Sequence, residues 1–205
     1  MAKATNRTFK VMNIAELTSS IAKMKEIVKM LIRLDYILIS GLSRREEGSL
    51  MQWVKINRKN PQTLLLLVDK RKNIFGYMNF IPLKSKYFEL IKKGKFWDGK
   101  ITVDKVDNIG IPGTYKLYLL MIAIKKEMQH RGLSYLLIDA LQKELESLAK
   151  KGVFFDEVCV DAYTPIGEIL AKKLGMRKIA YHENRGTIYF KRLSPLKPEL
   201  WKKRK

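Results

Sequence analysis

The stretch EMQHRGLSYLLIDAL, residues 127–141, places a glycine and a serine immediately before a long run of apolar residues. The apolar residues recur at helical spacing as far as Leu148, which predicts a helix from about Arg131 to Lys150. Gly152 suits the position just beyond the end of such a helix, because glycine adopts the left-handed conformation most easily. The helix therefore begins at a loop of small residues.

Two apolar segments flank this helix and predict strands. TYKLYLLMIAI, residues 114–124, is almost wholly apolar after Lys116, which is typical of a strand buried on both faces. VFFDEVCVDA, residues 153–162, is a second segment of this kind. The loop thus connects a buried strand to a helix. The first N–H groups of that helix have no partner within it and lie at the positive end of its dipole.

The composition of the loop suits an anion. Gly132 lets a phosphate approach the backbone closely, Ser134 adds a hydroxyl donor and Arg131 adds a positive charge. These residues predict a cradle for a pyrophosphate, and the alternative is an ordinary helix start with a glycine in its first turn. Neither G-x-x-x-x-G-K-[ST] nor G-x-G-x-x-G occurs in the chain, so a Walker loop and a dinucleotide fingerprint are excluded.

The rest of the chain alternates between helical and strand periodicity. In chain order we predict a strand at 9–17, a helix from Thr18, a capped helix from Ser43 to about Arg58, strands at 63–69 and 74–83, a helix at 85–94, a weaker strand at 100–107, a helix at 165–173, and strands at 176–183 and 186–193 around a turn at Asn184–Arg185. This order predicts an α/β protein with a mixed sheet and helices packed on its faces. We expect a single domain over residues 1–205, with 194–205 as a loosely held basic C-terminal extension.

The chain is strongly basic. It has 41 Lys and Arg against 20 Asp and Glu, a net charge of 41 − 20 = +21. One interpretation is a polyanionic partner such as nucleic acid, a phosphorylated cofactor or an acidic surface. The other is a lysine-rich composition with solvated faces, which the scattered placement of the lysines favours. A nucleic-acid partner stays open but is not favoured, because no stacking platform or nucleic-acid motif is present.

Cys159 is the only cysteine, which excludes an intrachain disulfide and a cysteine-based metal cluster. Its apolar surroundings predict a buried structural thiol, and a nucleophile would need His130 or His182 as its partner. We predict no metal site. No apolar run approaches the roughly 20 residues that a membrane helix needs, and the N-terminus lacks the apolar core of a signal peptide. The disulfide-free composition fits the cytosol, so we expect a cytoplasmic protein without a membrane partner.

The segment IAIKKEMQHRGLS, residues 122–134, resembles motif A of the GNAT superfamily, the acyl-CoA-dependent N-acetyltransferases. The family pattern is [R/Q]-x-x-G-x-[G/A], and Gln129, Gly132 and Ser134 fall on its three defining positions. Ser134 departs from glycine or alanine but is small. The segment AKKLGM, residues 171–176, is similar to the ending of a later helix in the family. The resemblance covers about residues 75–193 and implies a central, mostly antiparallel sheet with helices on both faces.

The resemblance implies that acetyl-CoA is the cofactor and that a primary amine attacks it directly. The strand backbone at Ile122, Ala123 and Ile124 would pair with the pantetheine amides. Thr164 stands where the family has an asparagine near the cofactor, and Arg131 or Lys173 would meet the 3′-phosphate. The backbone N–H groups of one continuous loop would bind the pyrophosphate, and these belong to Gln129, His130, Arg131, Gly132, Leu133 and Ser134.

The catalytic part of the resemblance is incomplete. Several family members carry a carboxylate on the central strand, four residues before the position of Ile122, and Tyr118 stands there in this chain. Many members use a tyrosine as acid at a position that Ala171 occupies here. Tyr118 and Tyr163 remain as catalytic candidates, and packing is the alternative role for each.

Three functions compete at this point. The first is an N-acetyltransferase acting on an unidentified amine acceptor. The second is a CoA-binding module of the same fold without turnover, because the expected base and acid are missing. The third is a basic RNA-associated or ribosome-associated protein. The oligomeric state stays open, with a homodimer as one option.

Overall fold

The computed structural model describes residues 8–183 and 186–194. Seven strands form one sheet in the order β1-β2-β3-β4-β5-β7-β6. The strands are β1 (Phe9–Asn13), β2 (Leu64–Asp69), β3 (Ile74–Leu83), β4 (Gly113–Ile124), β5 (Val153–Ala162), β6 (Arg177–Tyr181) and β7 (Thr187–Arg192). The helices are α1 (Ile14–Leu17), α2 (Ile21–Leu38), α3 (Arg44–Glu47), α4 (Leu50–Lys59), α5 (Ser85–Lys92), α6 (Leu133–Lys150) and α7 (Pro165–Lys173).

The sheet is mixed and mostly antiparallel, as predicted. Every neighbouring pair runs antiparallel except β4 and β5, which are parallel and are joined by α6. Helices cover both faces. One buried cluster joins the sheet to α2, α4 and α5, and a second joins it to α6 and the end of α7. Within residues 8–183 and 186–194, no helix is both long and apolar enough to span a bilayer.

Two predicted elements at the N-terminal end have different bounds. The strand predicted at 9–17 ends at Asn13, whose side chain accepts a hydrogen bond from the N–H of Glu16 (3.1 Å) and starts α1. The helix predicted from Ser43 to Arg58 is two helices, because Gly48 adopts a left-handed φ of 86° and interrupts it. The capping box predicted at Ser43 is present, since its side chain accepts from the N–H of Glu46 (3.2 Å).

The strand predicted at 100–107 is wrong. This segment forms short 3-10 turns at Asp98–Lys100 and Val103–Lys105, with one isolated bridge from Val106 to Leu83. Its alternating pattern has another cause, because the apolar side chains of Ile101 and Val106 are fully buried and anchor a loop against the core. The neighbouring strand β3 already lies between β2 and β4, so it offers no free edge along most of its length.

Strands β4 and β5 stop pairing with each other before either strand ends. Their pairing stops at Leu119 and Val160, although β4 continues to Ile124 and β5 to Ala162. On the other side of β4, the register with β3 shifts at Leu120, which is an extra residue of the bulge type. A wedge therefore opens in the middle of the sheet, beside the loop that leads to α6. The turn predicted at Asn184–Arg185 and residues 195–205 of the basic extension lie outside the described residues.

The contact between α3 and the Asp98–Lys100 turn depends on Gly99. A Cβ atom at this position would lie 1.8 Å from the carbonyl oxygen of Arg45 in α3. We expect Gly99→Ala to lower the free energy of unfolding by about 1–3 kcal/mol, because the backbone of one element must shift. Urea unfolding measures this change.

Gly113→Ala is the matched control. A Cβ atom there would lie 3.4 Å from the Tyr115 hydroxyl, which is an ordinary contact. Its effect should stay within about 0.5 kcal/mol. Equal unfolding free energies for the Gly99 and Gly113 variants would contradict a tight contact at Gly99.

Candidate active site

A cleft of about 770 Å³ opens where β4 and β5 part. This volume lies in the range of small-molecule and cofactor sites. One wall consists of α2, α4 and the turn at Asp98–Lys100, and the other consists of the loop before α6 and α7. The cleft therefore extends from the loop that the sequence singles out to the face covered by the N-terminal helices.

The backbone of β4 forms one edge of the cleft. Its last residues, 120–124, have β3 on one side, and β5 no longer pairs with them on the other. Ile122, Ala123 and Ile124 all line the cleft. Backbone N–H and C=O groups on this edge are consequently available to an extended ligand, as in the addition of a strand to a sheet.

The loop before α6 has the shape of an anion cradle. His130 and Gly132 adopt left-handed φ values of 60° and 72°, so successive N–H groups turn toward one side. Gly132 occupies the N-cap position of α6, and no side chain of the described residues caps this helix. Its first N–H groups remain available to a ligand. The loop is held by Gln129, whose side-chain amide donates to the carbonyl oxygen of Ile124 (2.9 Å).

Most of the residues predicted for the site lie together. The residues that line the same cleft are Ile122, Ala123, Ile124, Gln129, His130, Gly132, Leu133, Ser134, Tyr163, Thr164 and Lys173. Arg131 is exposed and lies outside the lining. The Gln129 N–H already donates to the carbonyl oxygen of Lys126 (3.2 Å), and the Thr164 hydroxyl oxygen accepts from the Gly167 N–H (3.1 Å) as the cap of α7.

Tyr118 has the packed position that was the alternative to a catalytic role. Its side chain is fully buried and does not line the cleft. Its hydroxyl donates a hydrogen bond to Oδ1 of Asp98 (2.7 Å), and Asp98 does line the cleft. A carboxylate thus reaches this face of the sheet from the turn before β4 instead of from β4 itself.

Five carboxylates line the cleft, and the sequence predicted none of them as a site residue. They come from α2, α3, the 3-10 turn and the end of β5, and they are Asp35, Glu46, Glu47, Asp98 and Asp161. No short motif holds them, since the fold alone brings these distant segments together. The one available signal was the set of Asp and Glu residues within apolar or capping stretches, such as Asp161 at the end of a buried strand.

Burial raises the pKa of four of these carboxyls. The pKa of Asp35 rises to about 7 and that of Asp98 to about 7, in both cases mainly because of desolvation. Desolvation and then the charges of Asp35 and Asp98 raise the pKa of Glu47 to about 9. The pKa of Asp161 rises to about 8, because of burial and then the charge of Asp98. Protons on these groups are exchangeable near neutral pH.

Asp161 lies beside His182 and Tyr163. The nearest atoms of Asp161 and the buried His182 ring, Oδ2 and Nδ1, are 3.3 Å apart. Burial lowers the pKa of His182, so the ring favours its neutral form. Among the described residues, neither carboxylate oxygen of Asp161 has a hydrogen-bond partner of good geometry. Burial and then the charge of Asp98 raise the pKa of Tyr163, so this hydroxyl keeps its proton.

The described residues contain neither an accessible thiol nor a metal-binding cluster. Cys159 is a free thiol with no exposed surface, and burial raises its pKa well above the ordinary value. The predicted buried thiol is therefore confirmed. The described ranges contain no group of three or more His, Cys, Asp or Glu residues arranged to hold a metal ion.

No protein-family model and no curated protein sequence matches the chain. Solved structures share its fold. One is an acetyltransferase of the GNAT family from Staphylococcus aureus Mu50, with a TM-score of 0.56 and 10% identity over 91% of this chain and 100% of that chain.

Two further structures agree with the first. The loading GNATL domain of CurA from Lyngbya majuscula has a TM-score of 0.57 and 12% identity, over 90% of this chain and 98% of that chain. A mosquito arylalkylamine N-acetyltransferase like 5b has a TM-score of 0.54 and 16% identity, over 92% of this chain and 100% of that chain. The chain has the fold of the GNAT superfamily, which confirms the predicted fold class.

The raised pKa values predict how stability depends on pH. Asp35, Glu47, Asp98 and Asp161 bind their protons more tightly in the folded chain, since their folded pKa values of about 7 to 9 exceed the ordinary 3.8 and 4.5. Stability relative to the unfolded chain is therefore lost as pH rises from the ordinary values through the folded ones. We expect the free energy of unfolding to fall between about pH 5 and pH 9.

The Glu47→Gln variant isolates one of these groups. Because glutamine does not ionise, the fall between about pH 5 and pH 9 should be smaller than in the unchanged protein. Glu26→Gln, which alters a carboxylate that is 69% exposed, should leave the fall unchanged. Urea unfolding at several pH values measures both variants. A fall of the same size in Glu47→Gln would contradict the raised pKa.

Proposed function

We propose that the chain is an acyl-CoA-dependent N-acyltransferase that uses acetyl-CoA and acetylates a primary amine. The observation that carries this proposal is the cleft itself. The unpaired edge of β4 after Leu119 leads directly to the uncapped N-terminus of α6 at Gly132. An extended ligand with amides at one end and a pyrophosphate further along fits this sequence of groups. The GNAT fold supports the same assignment.

The residues of the cleft fit coenzyme A. Ile122 and Ile124 present backbone groups that would pair with the pantetheine amides. The N–H groups of Gly132 to Ser134 would hold the pyrophosphate, because they lie at the positive end of α6 and are not capped. Lys173 lines the cleft and would meet the 3′-phosphate. When bound, acetyl-CoA supplies the acetyl group as an activated thioester.

Asp98 is the candidate general base. It lines the cleft beside the point where β4 and β5 part, and its pKa of about 7 suits a group that accepts a proton near neutral pH. The Tyr118 hydroxyl fixes the carboxylate by a hydrogen bond of 2.7 Å and so acts as a positioning residue. Asp98 would take the proton of the attacking amine, directly or through one water molecule.

Tyr163 is the candidate hydrogen-bond donor to the leaving group, at the opposite wall. It follows Asp161 at the end of β5 and lines the cleft. Its raised pKa keeps the hydroxyl protonated, so it can donate a hydrogen bond to the sulfur of the leaving group. The amine, the base and the donor would thus lie around the place where the sheet opens. We also propose a cytoplasmic location, on the basis of the single free cysteine.

A change at the start of α6 tests the cofactor site. Ser134→Glu places a negative charge among the N–H groups that would bind the pyrophosphate, so acetyl-CoA affinity should fall by at least about tenfold through charge repulsion. Ser147→Glu makes the same change about 20 Å along the same helix and should leave the affinity within about twofold. Thermal shift and calorimetry with acetyl-CoA measure the effect. No acetyl-CoA binding by the unchanged protein would overturn the proposal.

A change at Asp98 tests the chemistry. Asp98→Asn should lower kcat by at least about a hundredfold, because the amine loses its proton acceptor. Tyr118→Phe should lower kcat less, and its pH-rate profile should shift to higher pH since the hydrogen bond that lowers the Asp98 pKa is gone. The exposed Asp104→Asn is the control in the same loop. Acceptor-dependent CoA release over a panel of amines gives these rates.

The outcomes separate the competing functions. If the protein binds acetyl-CoA but no amine causes CoA to be released, the chain is a binding module without turnover. Release that is unchanged in Asp98→Asn would exclude Asp98 as the base while leaving the acyltransferase assignment in place.

A further inference from the structure

The cleft is lined mainly by acidic residues, although the chain as a whole is strongly basic. The whole chain has 41 basic and 20 acidic residues, whereas the cleft is lined by five carboxylates and two lysines among the described residues. The two lysines, Lys126 and Lys173, belong to the loop and helix at the proposed cofactor end. The carboxylates gather at the other end. A cluster of this kind in a basic protein indicates a ligand with positive charge.

Hydrogen bonds join the segment that carries Asp98 to its neighbouring helices. The Trp97 indole N–H donates to the carbonyl oxygen of Arg45 in α3 (3.2 Å). The Gln52 side chain donates to the carbonyl oxygen of Asp98 (2.9 Å). The turn that carries Asp98 is thus joined to α4 through Gln52, and the residue before the turn is joined to α3, which carries Glu47. These contacts use backbone oxygens, so they leave the two carboxylates facing the cleft.

Buried oxygen atoms without partners line the same end. Asp35 is only 4% exposed, and its Oδ2 accepts a hydrogen bond from the Tyr77 hydroxyl (2.5 Å). Its Oδ1 has no hydrogen-bond partner among the described residues, and the same holds for Oδ1 of Asn57 and Oδ1 of Asn79. A buried acceptor without a partner is unfavourable, so these oxygens suit a ligand that donates hydrogen bonds.

Apolar side chains lie beside these oxygens in the cleft wall. Val28, Leu31 and Ile32 of α2 line it, and Trp53 and Tyr77 add aromatic surface. An alkyl chain can pack against such a wall while its ammonium groups bind carboxylates or aromatic faces. Such a wall suits an aliphatic cation.

We propose that the acceptor is an aliphatic diamine or polyamine, whose distal ammonium binds at Asp35 and Glu47 while its reacting amine lies at Asp98. This inference rests on the proposed N-acyltransferase function. A single ammonium at Asp98 would leave Asp35 and Glu47, two carboxyls with raised pKa values, without a cation beside them. The mutual repulsion that helps to raise the pKa of Glu47 supports this argument. A second ammonium removes that repulsion.

The chain length of the acceptor provides the test. Acceptor-dependent release of CoA is measured for α,ω-diaminoalkanes of three to eight carbons and for spermidine, each against the n-alkylamine of equal length. We expect kcat/KM of the best diamine to exceed that of its monoamine by at least about thirtyfold, because a buried ion pair at the distal end is lost in the monoamine. One length should be optimal, since the two carboxylate positions are fixed.

Variants at the distal end separate binding from chemistry. Asp35→Asn and Glu47→Gln should each raise KM for the best diamine by at least about tenfold, with little effect on kcat and on monoamines. Glu26→Gln, also on α2 but exposed, is the control for Asp35. Asp35→Glu should restore part of the preference for diamines. Thermal shift with acetyl-CoA shows that each variant is folded, since its proposed site does not include Asp35.

Each outcome bears on one assignment. Equal or better turnover of monoamines or of a lysine peptide would overturn the diamine assignment while the acyltransferase function stands. If no amine is acetylated, calorimetry measures whether the diamines bind. Diamine binding that weakens in Asp35→Asn would then support the ligand assignment, and the lack of acetylation would exclude the enzyme function. The absence of diamine binding in a protein that binds acetyl-CoA would overturn the inference.

Discussion

The parting of β4 and β5 after Leu119 and Val160 is the constraint on which the other features of the site depend. Two parallel strands that stayed paired to their ends would satisfy each other's N–H and C=O groups and leave no space for a ligand. Because these strands part, an edge of β4, the uncapped first turn of α6 and the end of β5 all open into one cleft. The N-terminal helices then close the cleft on the side where β3 and β4 meet them.

The acidic end of this cleft is unfavourable for folding in the absence of a ligand. Four carboxyls with raised pKa values line it, of which Asp35 and Asp161 are buried and Glu47 and Asp98 partly exposed, and the charge of Asp98 acts on the other three. Carboxyl groups whose pKa values are raised by desolvation are typical of functional sites. The hydroxyl groups of Tyr77 and Tyr118 each donate a hydrogen bond to one carboxylate. Because both tyrosines are buried, they fix the positions of these carboxylates relative to the sheet.

Local sequence predicted the half of the cleft around the loop before α6 and missed the acidic half. The loop from Gln129 to Ser134, the strand before it and α6 are contiguous, so periodicity and one glycine were enough to place them. The carboxylates come from segments up to 126 residues apart, Asp35 to Asp161, and only the tertiary fold brings them together. The false strand at 100–107 arose because a loop that is anchored by buried apolar residues has the same alternation as a strand.

The link between α3 and the Asp98–Lys100 turn has a consequence for how this protein can change over time. The group that would take the proton lies on a turn held by α3, and α3 also carries part of the surface that would select the acceptor. A substitution that reshapes α3 would therefore alter the choice of acceptor and the placement of the base together. If the carboxylate were on the central strand, a substitution in α3 could alter the choice of acceptor without moving the base. In this protein we expect the two properties to change together.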